Sequence, residues 1–225
     1  RRSNEVIPEI MGRVDAFAEN EREIEKPDLC PACGAQVAER GANLFCPNRD
    51  GCKPQIVARL DHFAGRNAMD IDTFSEKTAE QLVDAGLVKE ASDLYLLKRE
   101  RLVALDRFAE KKAENLVSAI EKSKKCRLDS FIYAIGIPNV GIKTARDLAA
   151  RFGSVDALRR ATREALIEIE EVGGIVADSI AQFFEDPLNG ALVDGLLAAG
   201  VAPQWQERAA AGAFVGMTVV LTGSL

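Results

Sequence analysis

The sequence predicts a mainly α-helical protein: four helix–hairpin–helix repeats behind a small four-cysteine module, with truncated β segments at both ends. Three observations carry this. Apolar residues recur at spacings of three and four from beyond Pro54 to about Phe184, the period of an amphipathic helix. Within that stretch one pattern returns at intervals of 34, 32 and 32 residues. Ahead of it, four of the five cysteines fall between Cys30 and Cys52.

From the amino end, residues 1–14 contain Val6-Ile7-Pro8, which reads as the end of a strand because Pro8 has no N–H for further pairing. An acidic connector, Glu19 to Lys26, closes on Pro27. The cysteines follow as C-x2-C, twelve residues, then C-x5-C. Four thiolates complete a tetrahedral zinc shell, and a short Cys-x-x-Cys turn brings two sulfurs to one ion. Cys30, Cys33, Cys46 and Cys52 are therefore the candidate ligands of a structural zinc, with a disulfide pair or vestigial cysteines as the alternatives. Four protein ligands leave no open position, which disfavours catalytic zinc. In so small a segment, metal binding would supply much of the folding free energy. His62, the one histidine, is expected to pack or hydrogen-bond rather than ligate. Cys126 stands beside Lys124, Lys125 and Arg127, cations that would lower a thiol pKa, and is assigned no role.

The helical half carries the repeat. With Ser75, Ala109, Gly141 and Gly173 as anchors, the preceding residue is always apolar: Phe74, Phe108, Val140, Val172. Four before stand Ile71, Leu105, Ile137 and Ile169; four after, an alanine each time (Ala79, Ala113, Ala145, Ala177). Seven after come Leu82, Leu116, Leu148 and Ile180. A tetratricopeptide array shares the period, but that family's tryptophan, tyrosine and proline positions are missing here, and the anchor falls in a hairpin rather than mid-helix. The pattern reads as helix, tight hairpin, helix: the apolar residue plugs the hairpin and the alanine permits close helix approach. The second helix starts at the anchor, so its unpaired N–H groups and dipole form a sequence-blind phosphate site. Lys77, Lys111 and Lys143 follow the first three anchors by two residues, while the fourth copy has Ile175. A cation in a first helical turn opposes the dipole, and a local anion rationalises it. Gly141, Gly173, Lys143, Lys111, Lys77, Asn139 and Arg146 are the candidate DNA contacts, with Arg151, Lys122, Lys124 and Lys125 as extensions.

Composition narrows the class. Of 225 residues, 47% are hydrophobic, 28% charged and 6% aromatic, an ordinary globular balance. No run approaches the roughly 18 apolar residues of a membrane span, and no leader is visible, so membrane insertion and secretion are not indicated. The few, odd-numbered cysteines suit a reducing, cytoplasmic setting. Net charge is −6, which discourages a polyanionic partner. The distribution reverses that: Lys98 to Arg163 holds 16 Lys+Arg against 8 Asp+Glu. Residues 203–213 read as a linker, and Phe214 to Leu225 as a β-type run without a pairing partner. The start on Arg1 and the stop in an apolar run suggest a piece of a longer chain.

In this order, these residues resemble the carboxy-terminal half of bacterial NAD-dependent DNA ligases. The resemblance implies the end of an OB domain (1–14), a linker (15–28), a four-cysteine zinc finger (29–54) and a helix-hairpin-helix DNA-binding domain (55–186). A second linker (187–213) and the start of a BRCT domain (214–225) complete it. His62-Phe63, Arg66, Ala68-Met69-Asp70-Ile71, Ile135-Gly136-Ile137-Pro138 and Val172-Gly173 carry the match. The departures are specific. The family's hairpins usually read Gly-apolar-Gly; here the first glycine is Thr73, Arg107, Asn139 and Glu171, and the second is Ser75 and Ala109 in the first two copies. Hairpins one and two are then structural, with Ser75 a helix N-cap, and Glu171 has the wrong sign for phosphate. Asn4 also replaces a family glycine.

By resemblance, the parent enzyme seals nicks in duplex DNA. A lysine attacks NAD, AMP passes to the 5′-phosphate, and the 3′-hydroxyl displaces it, with a divalent metal such as magnesium. No Lys-x-Asp-Gly tetrad or Rossmann fingerprint is present; Lys26-Pro27-Asp28-Leu29 fails at glycine. The chain alone is expected to be a monomer without catalytic residues, binding nicked duplex DNA and no small-molecule substrate. The alternatives are a protein-binding helix-hairpin-helix scaffold and the DNA-binding arm of a repair nuclease.

Overall fold

The computed structural model describes residues 25–106 and 108–205. The expected OB end (1–14), the connector up to residue 24, Arg107 and the expected BRCT start (214–225) lie outside the described residues. The chain divides into two compact units, Arg1–Pro47 and Asn48–Leu225.

The first unit is built on two short antiparallel strands, β1 (Ala38–Arg40) and β2 (Asn43–Phe45), with Ala38 opposite Phe45. Gly41, at φ 62°, provides the left-handed backbone that so short a hairpin connection needs. The Cys-x-x-Cys segment is a closed turn: the Gly34 N–H donates to the Cys30 carbonyl at 2.8 Å, and the Cys30 N–H to that of Ala35 at 2.8 Å. Cys30 is the one described residue of this unit that is buried. Apolar burial therefore does little to hold it together.

The named elements among the described residues of the second unit are all helices. Its elements are α1 (Lys53–Ala64), α2 (Glu76–Asp84), a 3₁₀ segment (Ala91–Leu96), α3 (Arg99–Val103), α4 (Glu110–Ser123) and α5 (Leu128–Ala134). Then come α6 (Ile142–Phe152), α7 (Val155–Arg159), α8 (Arg163–Ile167), α9 (Gly174–Glu185) and α10 (Pro187–Ala198). Four pairs form the hairpins: α1/α2, α3/α4, α5/α6 and α8/α9. The four repeat alanines are completely buried, as are Leu82 and Leu148, with Leu116 and Ile180 nearly so. Those two columns are the inner stripe of each hairpin's second helix. An alanine there admits the partner helix closely, and a leucine or isoleucine one turn on fills the space beside it.

Two expectations are corrected. The stretch beginning at 187 is not a linker at first but the twelve-residue α10. Asp186-Pro187, read as a stop, ends α9 and starts the next helix: the Asp186 carboxylate accepts from Leu188 N–H at 2.9 Å, and Pro187 fills the first turn, where no N–H is needed. Packed against the 3₁₀ segment, α10 places Gly195 so close to Ser92 that an added Cβ would lie 3.2 Å from the serine Cβ. The second correction concerns Cys126. Its thiol pKa is pushed up to about 12 by burial rather than lowered by the neighbouring cations. Among the described residues, no helix is long and apolar enough to cross a membrane.

Candidate nucleic-acid interface and metal centre

All four hairpins turn the corner in the same way. The N–H of the plugging residue returns to the carbonyl three before it: Phe74 to Ile71, Phe108 to Leu105 and Val140 to Ile137 at 3.2 Å, and Val172 to Ile169 at 3.0 Å. The third residue of each described turn has a left-handed backbone: Thr73 at φ 66°, Asn139 at 63° and Glu171 at 67°. These are the places where the related pattern carries its first glycine, and positive φ at the third position is what a type II turn demands. Pro138-Asn139 fits that turn best, since proline presets the second position and asparagine tolerates the third.

Each anchor is the N-cap of the following helix, in extended backbone. The caps then diverge. Ser75 satisfies its own helix, its Oγ accepting from Thr78 N–H at 3.4 Å. Ala109, Gly141 and Gly173 bring no side-chain cap to α4, α6 and α9. A Cβ added at Gly141 or Gly173 would meet nothing within 4 Å. The two N-cap positions themselves are therefore open on that side.

The tips of hairpins three and four meet. Asn139 Nδ2 donates to Ser179 Oγ at 2.8 Å, and Ser179 Oγ donates in turn to the Ile175 carbonyl at 2.9 Å. Lys143 Nζ lies 2.6 Å from Glu171 Oε1, with the two side chains 65% and 60% exposed. The Glu171 hydrogen bond holds the Lys143 ammonium above its ordinary pKa. Hairpins one and two are coupled through the corresponding helix position: Gln81 Nε2, on α2, donates to the Asp106 carbonyl in the second turn at 3.3 Å. The repeats thus work in pairs.

The remaining candidates divide. Lys77, Lys111 and Arg146 are exposed and, among the described residues, make no ion pair. Lys124 is held by Glu121 at 2.8 Å and Arg151 by Glu168 at 3.4 Å, so neither is an unpaired cation. Arg163 is a residue that sequence reasoning missed. Its Nε donates to Asp178 Oδ1 at 2.5 Å, and its Nη2 would sit 2.9 Å from a Cβ on Gly174. This guanidinium lies beside the opening residue of α9, in the copy that lacks the lysine. It belongs to the preceding helix, outside the repeat columns, so no spacing signals it. Their mutual hydrogen bond raises the Arg163 pKa and lowers that of Asp178.

At the cysteine cluster, the Sγ atoms of Cys30, Cys33, Cys46 and Cys52 all lie within 4.8 Å of one another. Four thiolates at about 2.3 Å from a tetrahedral zinc stand roughly 3.8 Å apart. The cluster fits that spacing. The Cys33 and Cys46 sulfurs are 3.5 Å apart, far beyond a disulfide bond of about 2.05 Å. The group can hold a metal ion. His62 is occupied elsewhere: its Nε2 lies 2.8 Å from the Tyr133 carbonyl, to which only a ring N–H can donate.

Comparisons agree with this geometry. Residues 69–122 match a family model described as a SAM-like helix-hairpin-helix tandem, and 130–193 one described as a helix-hairpin-helix motif. The first runs from the turn of hairpin one through α4, and the second from within α5 into α10. Over its whole length the chain is 51% identical to a DNA ligase of Clostridium perfringens, covering 34% of that protein. It is 52% identical to DNA ligases of Alkaliphilus metalliredigens and Alkaliphilus oremlandii, again covering 34% of each. The chain thus spans about a third of the length of these relatives.

Proposed function

Since the chain belongs with the DNA ligases along the third of their length that it spans, we propose that it holds nicked duplex DNA by the phosphate backbone, in the cytoplasm. An NAD-dependent part of the same enzyme, using a divalent metal such as magnesium, then seals the nick. The single observation that carries this reading is the pair of uncapped glycine N-caps, Gly141 and Gly173, on two hairpins whose tips touch. Amides of the first turns of α6 and α9 donate to two phosphate groups, with the helix dipoles adding attraction. Glycine leaves room for the oxygens to reach the backbone. Lys143 and Arg146 on α6, and Lys111 on α4, add positive charge alongside; Asn139 keeps the two tips in register. Lys77 serves the same purpose at hairpin one, where Ser75 already takes one donor. None of these groups reads a base, so binding is sequence-independent.

The four cysteines hold zinc in this reading. Three of its four metal–sulfur bonds go to a unit with almost no apolar core, and no chemical step runs through it. The chain carries no lysine for adenylation and is inactive alone: incubation with NAD should give no covalent AMP adduct.

The reading is tested by salt. Affinity for a nicked duplex should fall linearly on a log–log plot, with a slope of about −0.9 per phosphate neutralised. The carboxylates near Lys143 favour a second reading, a scaffold that binds protein. Duplex affinity absent at low salt would select it.

A further inference from the structure

We propose that Glu171 limits the affinity of hairpins three and four for duplex DNA, as the counter-ion that a phosphate must displace from Lys143. The inference rests on the DNA-binding reading above and assigns a role to a residue of the wrong sign within it.

Three observations converge on Glu171. It occupies the third position of the fourth turn at φ 67°, a conformation glycine adopts freely and glutamate does not. Strain retained at an exposed position directs attention to what the side chain does there. What it does is pair: Glu171 Oε1 lies 2.6 Å from Lys143 Nζ. The charges of Asp147 and Glu170 also favour the protonated form of the same ammonium. Lys77 and Lys111, at the same step of hairpins one and two, are exposed and make no ion pair among the described residues. Only the third lysine is neutralised.

The pair is not needed to fasten the two tips. Asn139 and Ser179 already join them at 2.8 Å, and the neighbouring Val172, not Glu171, enters the core. In water such an exposed pair is weak enough for a phosphate to break. Breaking it nonetheless lowers affinity twice. The lysine exchanges one anion for another, and the released carboxylate stays close to the bound phosphate. A grip limited in this way lets go of the duplex more readily, which a nick-sealing enzyme needs once its product is intact.

The experiment uses the full chain, a fluorescently labelled nicked duplex of mixed sequence, and anisotropy titrations at low and moderate salt. Glu171→Gln should bind about two- to fivefold tighter at low salt, with the gain shrinking as salt screens the charges. Glu171→Gly removes the same charge without left-handed strain and should change affinity in the same direction. In a Lys143→Gln background the gain should fall to less than half, because the displaced pair no longer exists. If both Glu171 variants bind no tighter while the parent chain binds duplex normally, the inference is overturned and Glu171 positions Lys143 instead. An undiminished gain in the Lys143→Gln background overturns the counter-ion role. A parent chain that does not bind duplex at any salt overturns the DNA reading itself, and this inference with it.

Discussion

Substituting Gly141→Asp should separate stability from binding. Gly141 sits at φ −87°, ψ 179°, extended backbone that aspartate adopts without strain, and a Cβ there meets nothing within 4 Å. The new carboxylate would fold back on the first turn of α6 and accept an amide N–H, an interaction the helix lacks. Aspartate is a better N-cap than glycine by a few tenths of a kcal/mol, and a negative charge on the dipole adds about 0.3–1 kcal/mol. The variant should therefore be at least as stable as its parent, with Tm unchanged or higher by roughly 1–4 °C for a chain of this size. Binding should move the other way. In the proposed reading, the carboxylate occupies the donors assigned to phosphate and places a like charge in their path. The loss of one uncharged amide contact lowers affinity by about tenfold at low salt, near 1.4 kcal/mol, while the salt slope, which counts phosphates neutralised by lysine and arginine, changes little. Ala109→Asp makes the same change at α4, where a methyl group already stands over the amides, and should cost less. The assay is anisotropy on a nicked duplex, paired with a thermal melt of each protein. Equal losses at both positions, or unimpaired binding by a stable Gly141→Asp protein, would refute the sorting of intact from degenerate hairpins.

Three further outcomes are expected. Thr73→Gly should raise stability by about 0.5–1 kcal/mol: a β-branched residue at φ 66° is strained by about 1–2 kcal/mol, and glycine returns part of that as unfolded-chain entropy. A melt showing destabilisation would contradict it. Cys46→Ser, or chelation of the parent protein, should abolish the ordered signal of residues 25–47 in a heteronuclear spectrum, since one buried residue cannot hold that unit; an unchanged spectrum in metal-free protein would argue against a structural ion. Ala145→Leu should destabilise by about 1–3 kcal/mol through overpacking, because Ala145 is completely buried where α6 meets α5; a neutral melt would mean that the helices are not closely packed there.

Much of this was legible because the informative positions recur at fixed spacing. The alanine and leucine columns define the buried stripe in each copy, and the anchors do start helices. Ser75 caps its helix as its chemistry suggests, and His62 hydrogen-bonds instead of ligating. What spacing does not carry is any effect between elements. The Asp186-Pro187 pair ends one helix and begins another, and only the packing of α10 on the 3₁₀ segment decides between stop and start. Cys126 looks activated by its sequence neighbours, yet burial sets its pKa. The link from Asn139 to Ser179 joins residues forty positions apart, and the partner of Lys143 belongs to the next repeat. A residue-by-residue reading saw Glu171 as a defect in its own hairpin, when its contact is with another.

The same long-range pairing bears on how a chain of charge −6 approaches DNA. The basic stretch from Lys98 to Arg163 holds twice as many basic as acidic residues, but much of that excess is already engaged. Arg127 pairs with Asp129 at 2.7 Å, Arg159 with Asp194 at 2.8 Å and Arg163 with Asp178 at 2.5 Å, besides the pairs of Lys124, Lys143 and Arg151. Formal charge therefore overstates the field a duplex meets. A surface so compensated cannot rely on lysine and arginine alone. Backbone amides at the starts of α6 and α9 carry no paired counter-charge of their own and cost no side-chain entropy to place. The consequence is quantitative: binding should show a shallow salt slope, about −2 to −4, against roughly −9 for a protein making ten charged phosphate contacts. A slope near the steeper value would mean that the ion pairs open wholesale on the DNA, and that side-chain charge, not helix geometry, carries the grip.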